Sequence, residues 1–140
     1  MQQKIISSTS SLGIPQDVQV LTTSARPDSE AKFIDANRGF DKKFTFLLKP
    51  VDLDDLYDYI DNINLKEGST ILIVDDTESN RTKLKMTLEG LGFEAITAED
   101  PVDALEQAQN LSISPSLIIT DFNMPKMDGA EFLSKIRQQN

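Results

Sequence analysis

The sequence predicts an α/β fold in which helices cover both faces of a five-stranded parallel sheet. Five strand-like segments alternate with helical segments along the 140 residues. Two of these segments, at residues 71–74 and 117–120, are short and mainly apolar, as in strands that are buried on both faces. An aspartate follows each of the two, and folds of this class bind ligands at the carboxyl ends of their strands.

Side-chain periodicity and turn residues predict the other elements. The strands are expected at residues 18–24, 43–48, 71–74, 93–98 and 116–120. The helices are expected to begin near Pro27, Asp52, Ser79, Pro101 and Ala130, and Gly39 is expected to end the first of them. In the second helix, Leu53, Leu56, Ile60 and Ile63 recur at helical spacing on one face. Residues 1–13 are polar and rich in serine, and we expect them to be flexible.

Three acidic side chains are predicted to meet at one edge of the sheet. Asp75 and Asp76 follow one apolar strand, and Asp121 follows another. Carboxylates grouped in this way can hold a hard dication such as Mg²⁺, and one of them can act as a nucleophile. Each feature alone has a simpler interpretation, because an Asp-Asp pair often caps a helix and a single Asp after a strand is often a turn residue. Their joint occurrence favours the metal site.

Composition argues against several classes of function. The chain has 14 basic and 23 acidic residues, and the resulting net charge of −9 disfavours a surface for nucleic acid. It contains no cysteine and no histidine, which excludes disulfides, thiol chemistry, a Ser-His-Asp triad and the common zinc sites. No apolar stretch approaches the roughly 18 residues of a membrane span, and the N-terminus does not have the layout of a signal peptide. We expect a cytoplasmic protein without membrane contact.

The second half of the chain resembles a response-regulator receiver domain. Residues 70–140 look like the first three strand–helix units of that family. Asp75 and Asp76 match its metal-binding acids, and Asp121 matches its phosphoacceptor. The sequence Asn-Met-Pro-Lys-Met-Asp-Gly that begins at Asn123 resembles the turn after the phosphoacceptor, and Asn123 itself matches the residue whose backbone carbonyl reaches the metal.

The first half resembles the end of the same domain. Residues 16–65 look like its last two strand–helix units. Ser24, which precedes Ala25, matches the family's hydroxyl switch residue, and Phe46 matches its aromatic switch residue. Lys49, which a proline follows, matches its phosphoryl-binding lysine.

The halves stand in reverse order, so the chain resembles a circularly permuted receiver. Its single domain is predicted to comprise residues 14–65, a linker at 66–70 and residues 71–140. A short linker suffices, because each helix returns the chain to the edge opposite the ligand. The resemblance implies a flavodoxin-like fold with strand order 4-3-5-1-2 in chain numbering. The alternative is a fragment that spans the junction of two tandem receivers, either as a monomer or as a dimer that exchanges halves.

The resemblance implies a phospho-acceptor of two-component signalling, not a conventional enzyme. Asp121 would receive a phosphoryl group from a histidine kinase or a histidine phosphotransfer protein, and Lys49 would neutralise one of its oxygens. Ser24 and Phe46 would then alter a face that binds a downstream protein effector. The residues that the resemblance assigns to Mg²⁺ are Asp75, Asp76, Asp121 and the backbone carbonyl of Asn123.

Two other functions are compatible with the fold class. The chain could be a receiver-shaped interaction module that is not phosphorylated, in which the acids are structural. The intact acid pair, together with Asp121 and Lys49, disfavours that interpretation. It could also be a phosphohydrolase with an Asp-x-Asp nucleophile motif, but Asp121-Phe-Asn lacks the second acid.

Overall fold

The computed structural model describes residues 14–15, 18–36, 44–110 and 114–138. Within these residues, strands and helices alternate. The strands are β1 (Gln19–Ser24), β2 (Phe44–Leu48), β3 (Thr70–Val74), β4 (Glu94–Ala98) and β5 (Leu117–Asp121). The helices are α1 (Ser29–Ala36), α2 (Leu53–Asn62), α3 (Glu78–Gly90), α4 (Pro101–Asn110) and α5 (Gly129–Gln138). Every predicted strand agrees with these bounds to within one residue, whereas the predictions for residues 1–13 and Gly39 lie outside the described part of the chain.

All five strands run parallel in one sheet. Their order is β2-β1-β5-β3-β4, which is the predicted order 4-3-5-1-2 read from the opposite edge. The predicted order is therefore confirmed. All residues of the central strand β5 are buried, including the polar Thr120 and Asp121 at its carboxyl end, and its first three residues are apolar, as expected for a strand that is covered on both faces. The carboxyl ends of β1, β5 and β3 consequently lie side by side.

Each face of the sheet carries its own apolar core. The side chains of β3 alternate between the two, with Leu72 and Val74 in one core and Ile71 and Ile73 in the other. The first core includes Phe132 and other residues of α4 and α5, and α1 contacts α5. The second core includes residues of α2 and α3. Helices therefore cover both faces, as the sequence predicts.

A tight connection joins α2 to β3 at the edge opposite the acids. Asp52 caps the start of α2 as predicted, since its Oδ1 accepts from the N–H of Asp54 at 2.8 Å. After the helix, Gly68 has a φ of +87°, a conformation that glycine adopts without steric cost. Its N–H donates to the carbonyl of Gly92 at 2.9 Å. The connection can be this short because α2 ends at the edge where β3 begins.

Candidate functional site

The three predicted acids lie together at the carboxyl edge of the sheet. Asp75 and Asp76 follow β3, and Asp121 is the last residue of β5. One carboxylate oxygen from each lies within 4.8 Å of those from the other two. Asp75 and Asp121 are only 3% and 7% exposed, whereas Asp76 is open to solvent. The cluster is therefore buried on one side and accessible on the other.

Lys49 provides the positive charge that faces this cluster. It directly follows β2, and its backbone N–H donates to the carbonyl of Ser24 at 2.8 Å. Its ammonium nitrogen lies 3.3 Å from Oδ2 of Asp75 and 3.3 Å from Oδ1 of Asp121. The two halves of the chain thus contribute to a single site, with one ammonium group between two buried carboxylates.

Burial and neighbouring charges act together on Asp121. Burial is the largest cause that raises the pKa of this carboxyl above its usual range, and the charge of Lys49 opposes it. The negative charges of Asp75 and Asp76 raise the pKa of Asp121 further. A second cation in the cluster would offset this repulsion, because an opposite charge favours the ionised form of a carboxyl group.

The first turn of α3 orients Asp75. The N–H of Thr77 donates to Oδ1 of Asp75 at 2.9 Å, and the side-chain amide of Asn80 lies 3.5 Å from its Oδ2. The guanidinium of Arg81 donates to the backbone carbonyl of Asp75 at 2.7 Å. These contacts fix both the main chain and the side chain of the acid. The sequence around Arg81 does not predict its contact with the carbonyl of Asp75, because that contact depends on how the turn between β3 and α3 folds.

The turn after β5 is held close to the strand. The N–H of Phe122 donates to the carbonyl of Thr23 at 2.8 Å, and the N–H of Gly129 donates to the carbonyl of Phe122 at 2.7 Å. A Cβ atom on Gly129 would lie 2.9 Å from the Cα of Phe122 and 3.3 Å from the carbonyl oxygen of Asp121. Only glycine permits this approach without a backbone shift, so Gly129 helps to set the position of Asp121.

Ser24 is itself buried and belongs to a hydrogen-bond network beside the acids. Its Oγ accepts from the backbone N–H of Arg26 and from the side-chain amide of Asn123, both at 3.0 Å. Its own hydroxyl donates to Oγ of Ser29 at 3.1 Å. The sequence predicts a role for the backbone carbonyl of Asn123, and the structure adds this contact of its side chain. Ser29 has no place in the sequence prediction.

Phe46 lies on β2, opposite Thr22 of β1 in the strand register. Its side chain is half-buried and, among the residues that the structure describes, belongs to neither core cluster, although Phe44 on the same face of the strand packs against one of them. Strand alternation places Phe46 on the face that α1, α4 and α5 cover. The predicted hydroxyl and aromatic switch residues are thus on adjacent strands.

Comparison with known proteins identifies the family. A model of the response regulator receiver domain matches residues 71–140, which are 70 of the 140 residues. The chain belongs to this family of two-component signalling domains. No solved structure matches the chain.

Curated relatives match about half of the chain. The sensor protein EvgS of Escherichia coli (strain K12) is 45% identical over 78 residues, which are 56% of this chain and 6% of that protein. The regulatory protein PhoP of Bacillus subtilis (strain 168), named for alkaline phosphatase synthesis, is 45% identical over 69 residues, or 49% of this chain and 28% of PhoP. The chemotaxis protein CheY1 of Helicobacter pylori (strain J99) is 38% identical over 71 residues, or 50% of this chain and 56% of CheY1. The chain therefore spans only part of each relative.

Length and apolar character decide whether a helix can cross a lipid bilayer. In the part of the chain that the structure describes, no helix combines the length and the apolar character needed to cross one.

Proposed function

We propose that the protein is a phospho-acceptor in which Asp121 receives a phosphoryl group from a phosphohistidine. The observation that carries this proposal is that Asp121 shares an ammonium group with a second buried acid, at the open edge of a receiver sheet. Lys49 lies 3.3 Å from its Oδ1, and Asp75 belongs to the same cluster. Several relatives are named as sensor histidine kinases, among them RcsC of Escherichia coli (strain K12), which supports a histidine kinase or a histidine phosphotransfer protein as the donor.

The reaction is a transfer between two nucleophiles. An ionised oxygen of Asp121 forms a bond to phosphorus while the bond from phosphorus to the histidine nitrogen breaks. The electron pair of that bond stays on the imidazole, which leaves as the neutral ring after it takes a proton from solvent. The product is an acyl phosphate on Asp121. Catalysis of such a transfer consists mainly of positioning and charge neutralisation, and the ammonium of Lys49 can move from the Asp121 carboxylate to a phosphoryl oxygen.

We propose that Mg²⁺ binds to the acid cluster. The donor set fits this ion, because Mg²⁺ binds oxygen ligands and needs only a few of them from the protein when a phosphoryl group is also bound. The residues that would hold it are Asp75, Asp76, Asp121 and the backbone carbonyl of Asn123. When bound, the ion would supply positive charge to the transferring phosphoryl oxygens. Burial raises the pKa of Asp121 most, and the charges of Asp75 and Asp76 raise it further; a bound dication would oppose this rise.

The proposed output is a change in a protein-binding face. Ser24 would donate its hydroxyl proton to the phosphoryl group, and Phe46 would move into space that the loop after β1 leaves. The half-buried position of Phe46 on β2, outside both core clusters of the described residues, supports this. The face made by α1, β2 and α2 would then bind a downstream protein effector.

We also propose that the chain is a receiver in circularly permuted order. The family model matches residues 71–140, which form three strands and three helices, while residues 19–62 supply the two strands and two helices that complete the same sheet. A monomer would close this sheet within one chain, and a half-exchanged dimer would close it between two. Light scattering tests this arrangement: the mass of one chain supports closure within the chain, and the mass of two supports exchange.

Intact-mass spectrometry tests the phospho-acceptor proposal. The protein is incubated with Mg²⁺ and acetyl phosphate, and we expect a mass gain of one phosphoryl group. Asp121→Asn should show no gain, while the matched control Glu99→Gln, which removes an exposed carboxylate near the same edge, should react like the wild type. A folded wild type that never gains mass would instead favour the interaction module that is not phosphorylated.

A further inference from the structure

We propose that Ser29 is a positioning residue that holds the hydroxyl of Ser24 away from the phosphoryl group until Asp121 is modified. The inference rests on the proposed function and deepens it, because it names the hydrogen bond that Ser24 must break when Asp121 is phosphorylated. The feature behind it is the network of Ser24, Ser29 and Asn123 at the junction of β1, α1 and the turn after β5.

The contacts of Ser24 identify the group that accepts its hydroxyl proton. A hydroxyl group has two acceptor sites and one proton to donate. The N–H of Arg26 and the amide of Asn123 occupy both acceptor sites, each at 3.0 Å. The remaining contact, at 3.1 Å to Oγ of Ser29, must therefore use the Ser24 proton. A bond from Ser24 to a phosphoryl oxygen consequently requires the bond to Ser29 to break.

Burial restricts the Ser24 proton to one of two acceptors, the Ser29 oxygen or a phosphoryl oxygen. Ser24 and Ser29 are 0% and 1% exposed, so water cannot take over as the acceptor. Ser29 is held in place as the first residue of α1, and its N–H donates to the carbonyl of Arg26 at 3.1 Å. A buried donor without an acceptor is costly. The hydroxyl of Ser29 and a phosphoryl oxygen on Asp121 therefore compete for one proton.

The competition predicts the effect of Ser29→Ala. Without the Ser29 oxygen, the Ser24 proton lacks its acceptor in the unmodified protein and regains one only when the phosphoryl site is filled. The variant should thus bind a phosphoryl analogue more tightly than the wild type. The expected gain is about 2- to 10-fold, which corresponds to one net hydrogen bond.

Calorimetric titration with beryllofluoride in excess Mg²⁺ tests the inference, and thermal unfolding verifies that each variant is folded. Ser29→Ala should show the tighter binding, whereas Ser29→Thr, which keeps a hydroxyl, should restore the wild-type affinity. In a Ser24→Ala background, Ser29→Ala should have no effect, because there is no proton to release. The control Ser116→Ala, at an exposed serine near the opposite edge, should bind like the wild type.

Several outcomes overturn the proposal. Unchanged or weaker binding by Ser29→Ala would do so, as would an equal gain with and without the Ser24 hydroxyl. If Ser29→Ala does not fold, the wild type alone gives the answer by NMR: the amide resonance of Ser29 should shift when beryllofluoride is added, and a constant resonance contradicts the competition. Failure of the wild type to bind beryllofluoride at all is a different result, which rejects the proposed function together with this inference.

Discussion

Replacing Lys49 by methionine removes the ammonium that faces two buried carboxylates while keeping most of the apolar stem. The lost contacts are the two at 3.3 Å, to Oδ2 of Asp75 and Oδ1 of Asp121. Without Lys49, Asp75 and Asp121 would lose the ammonium that they share, and Asp121 would still face the like charges of Asp75 and Asp76. We therefore expect Lys49→Met to destabilise the protein when Mg²⁺ is absent.

The size of the loss follows from the distances and the exposure. At an effective dielectric constant of about 20, each contact corresponds to about 5 kcal/mol of gross attraction. The cost of desolvating the charges cancels much of this, and breaking a buried pair typically costs about 3–5 kcal/mol. The side chain of Lys49 is 23% exposed, so water replaces part of the interaction. We expect a loss of about 2–3 kcal/mol in the free energy of unfolding at neutral pH.

The pH dependence of this loss has a definite sign. The pKa of Asp121 is raised in the folded protein, so the folded state takes up a proton more readily than the unfolded chain and gains stability as the pH falls. Removing Lys49 takes away the main effect that opposes this rise. The destabilisation should therefore be smaller at about pH 4, in the ordinary carboxyl range, than at neutral pH, because Asp121 takes up its proton above that range.

Urea unfolding followed by circular dichroism measures these differences in metal-free buffer. Lys83→Met is the matched control, because it removes the same charge from an exposed position on α3 and should change stability by no more than about 0.5 kcal/mol. In an Asp121→Asn background, the loss caused by Lys49→Met should be smaller, since one of its two contacts is already weakened. The reasoning would be refuted by an equal loss at both pH values, or by a Lys49→Met variant as stable as its control.

Three further variants test other parts of the site. Gly129→Ala should lose about 1–3 kcal/mol of stability, because its Cβ would lie 2.9 Å from the Cα of Phe122, whereas Gly90→Ala meets nothing within 4 Å and should not be destabilised; equal urea midpoints would contradict this. Mg²⁺ at about 100 times its dissociation constant should stabilise the wild type by about 2.7 kcal/mol, and Asp76→Asn should lose most of this gain in thermal unfolding. In metal-free buffer, the raised pKa of Asp121 should make the wild type more stable as the pH falls. Asp121→Asn should remove this gain, and an unchanged dependence of stability on pH would exclude Asp121 as its cause.

The fold and the central acids were predictable because their signals are local. An apolar run that ends in aspartate identifies a buried strand and its carboxyl end, and parallel topology then brings Asp75 and Asp121 to one edge. The reach of Lys49 to both acids follows from the same topology, since β2 also ends at that edge. The confirmed strand order adds that β1 lies between β2 and β5, so the residue after β2 must extend past Ser24 to reach Asp121.

The finer contacts were not predictable from sequence patterns. Three adjacent hydroxyls end β1, and the resemblance selects Ser24 among them. The register adds its position: Thr23 pairs with Asp121, so Ser24 lies one residue further towards the turn. Oγ of Thr22 has no hydrogen-bond partner among the described residues. Ser29 approaches Ser24 through the loop between β1 and α1, whose path has no periodic signal. Such contacts depend on loop geometry, which sequence spacing does not determine.

The central claim is that Asp121 is the residue that becomes phosphorylated. An acyl phosphate reacts with hydroxylamine to leave a hydroxamate on the modified side chain, and peptide mass spectrometry can locate it. After incubation with Mg²⁺ and acetyl phosphate, we expect the hydroxamate at Asp121 and none in Asp121→Asn. A hydroxamate at another residue, or a folded protein that stays unmodified under the same conditions, would contradict the claim.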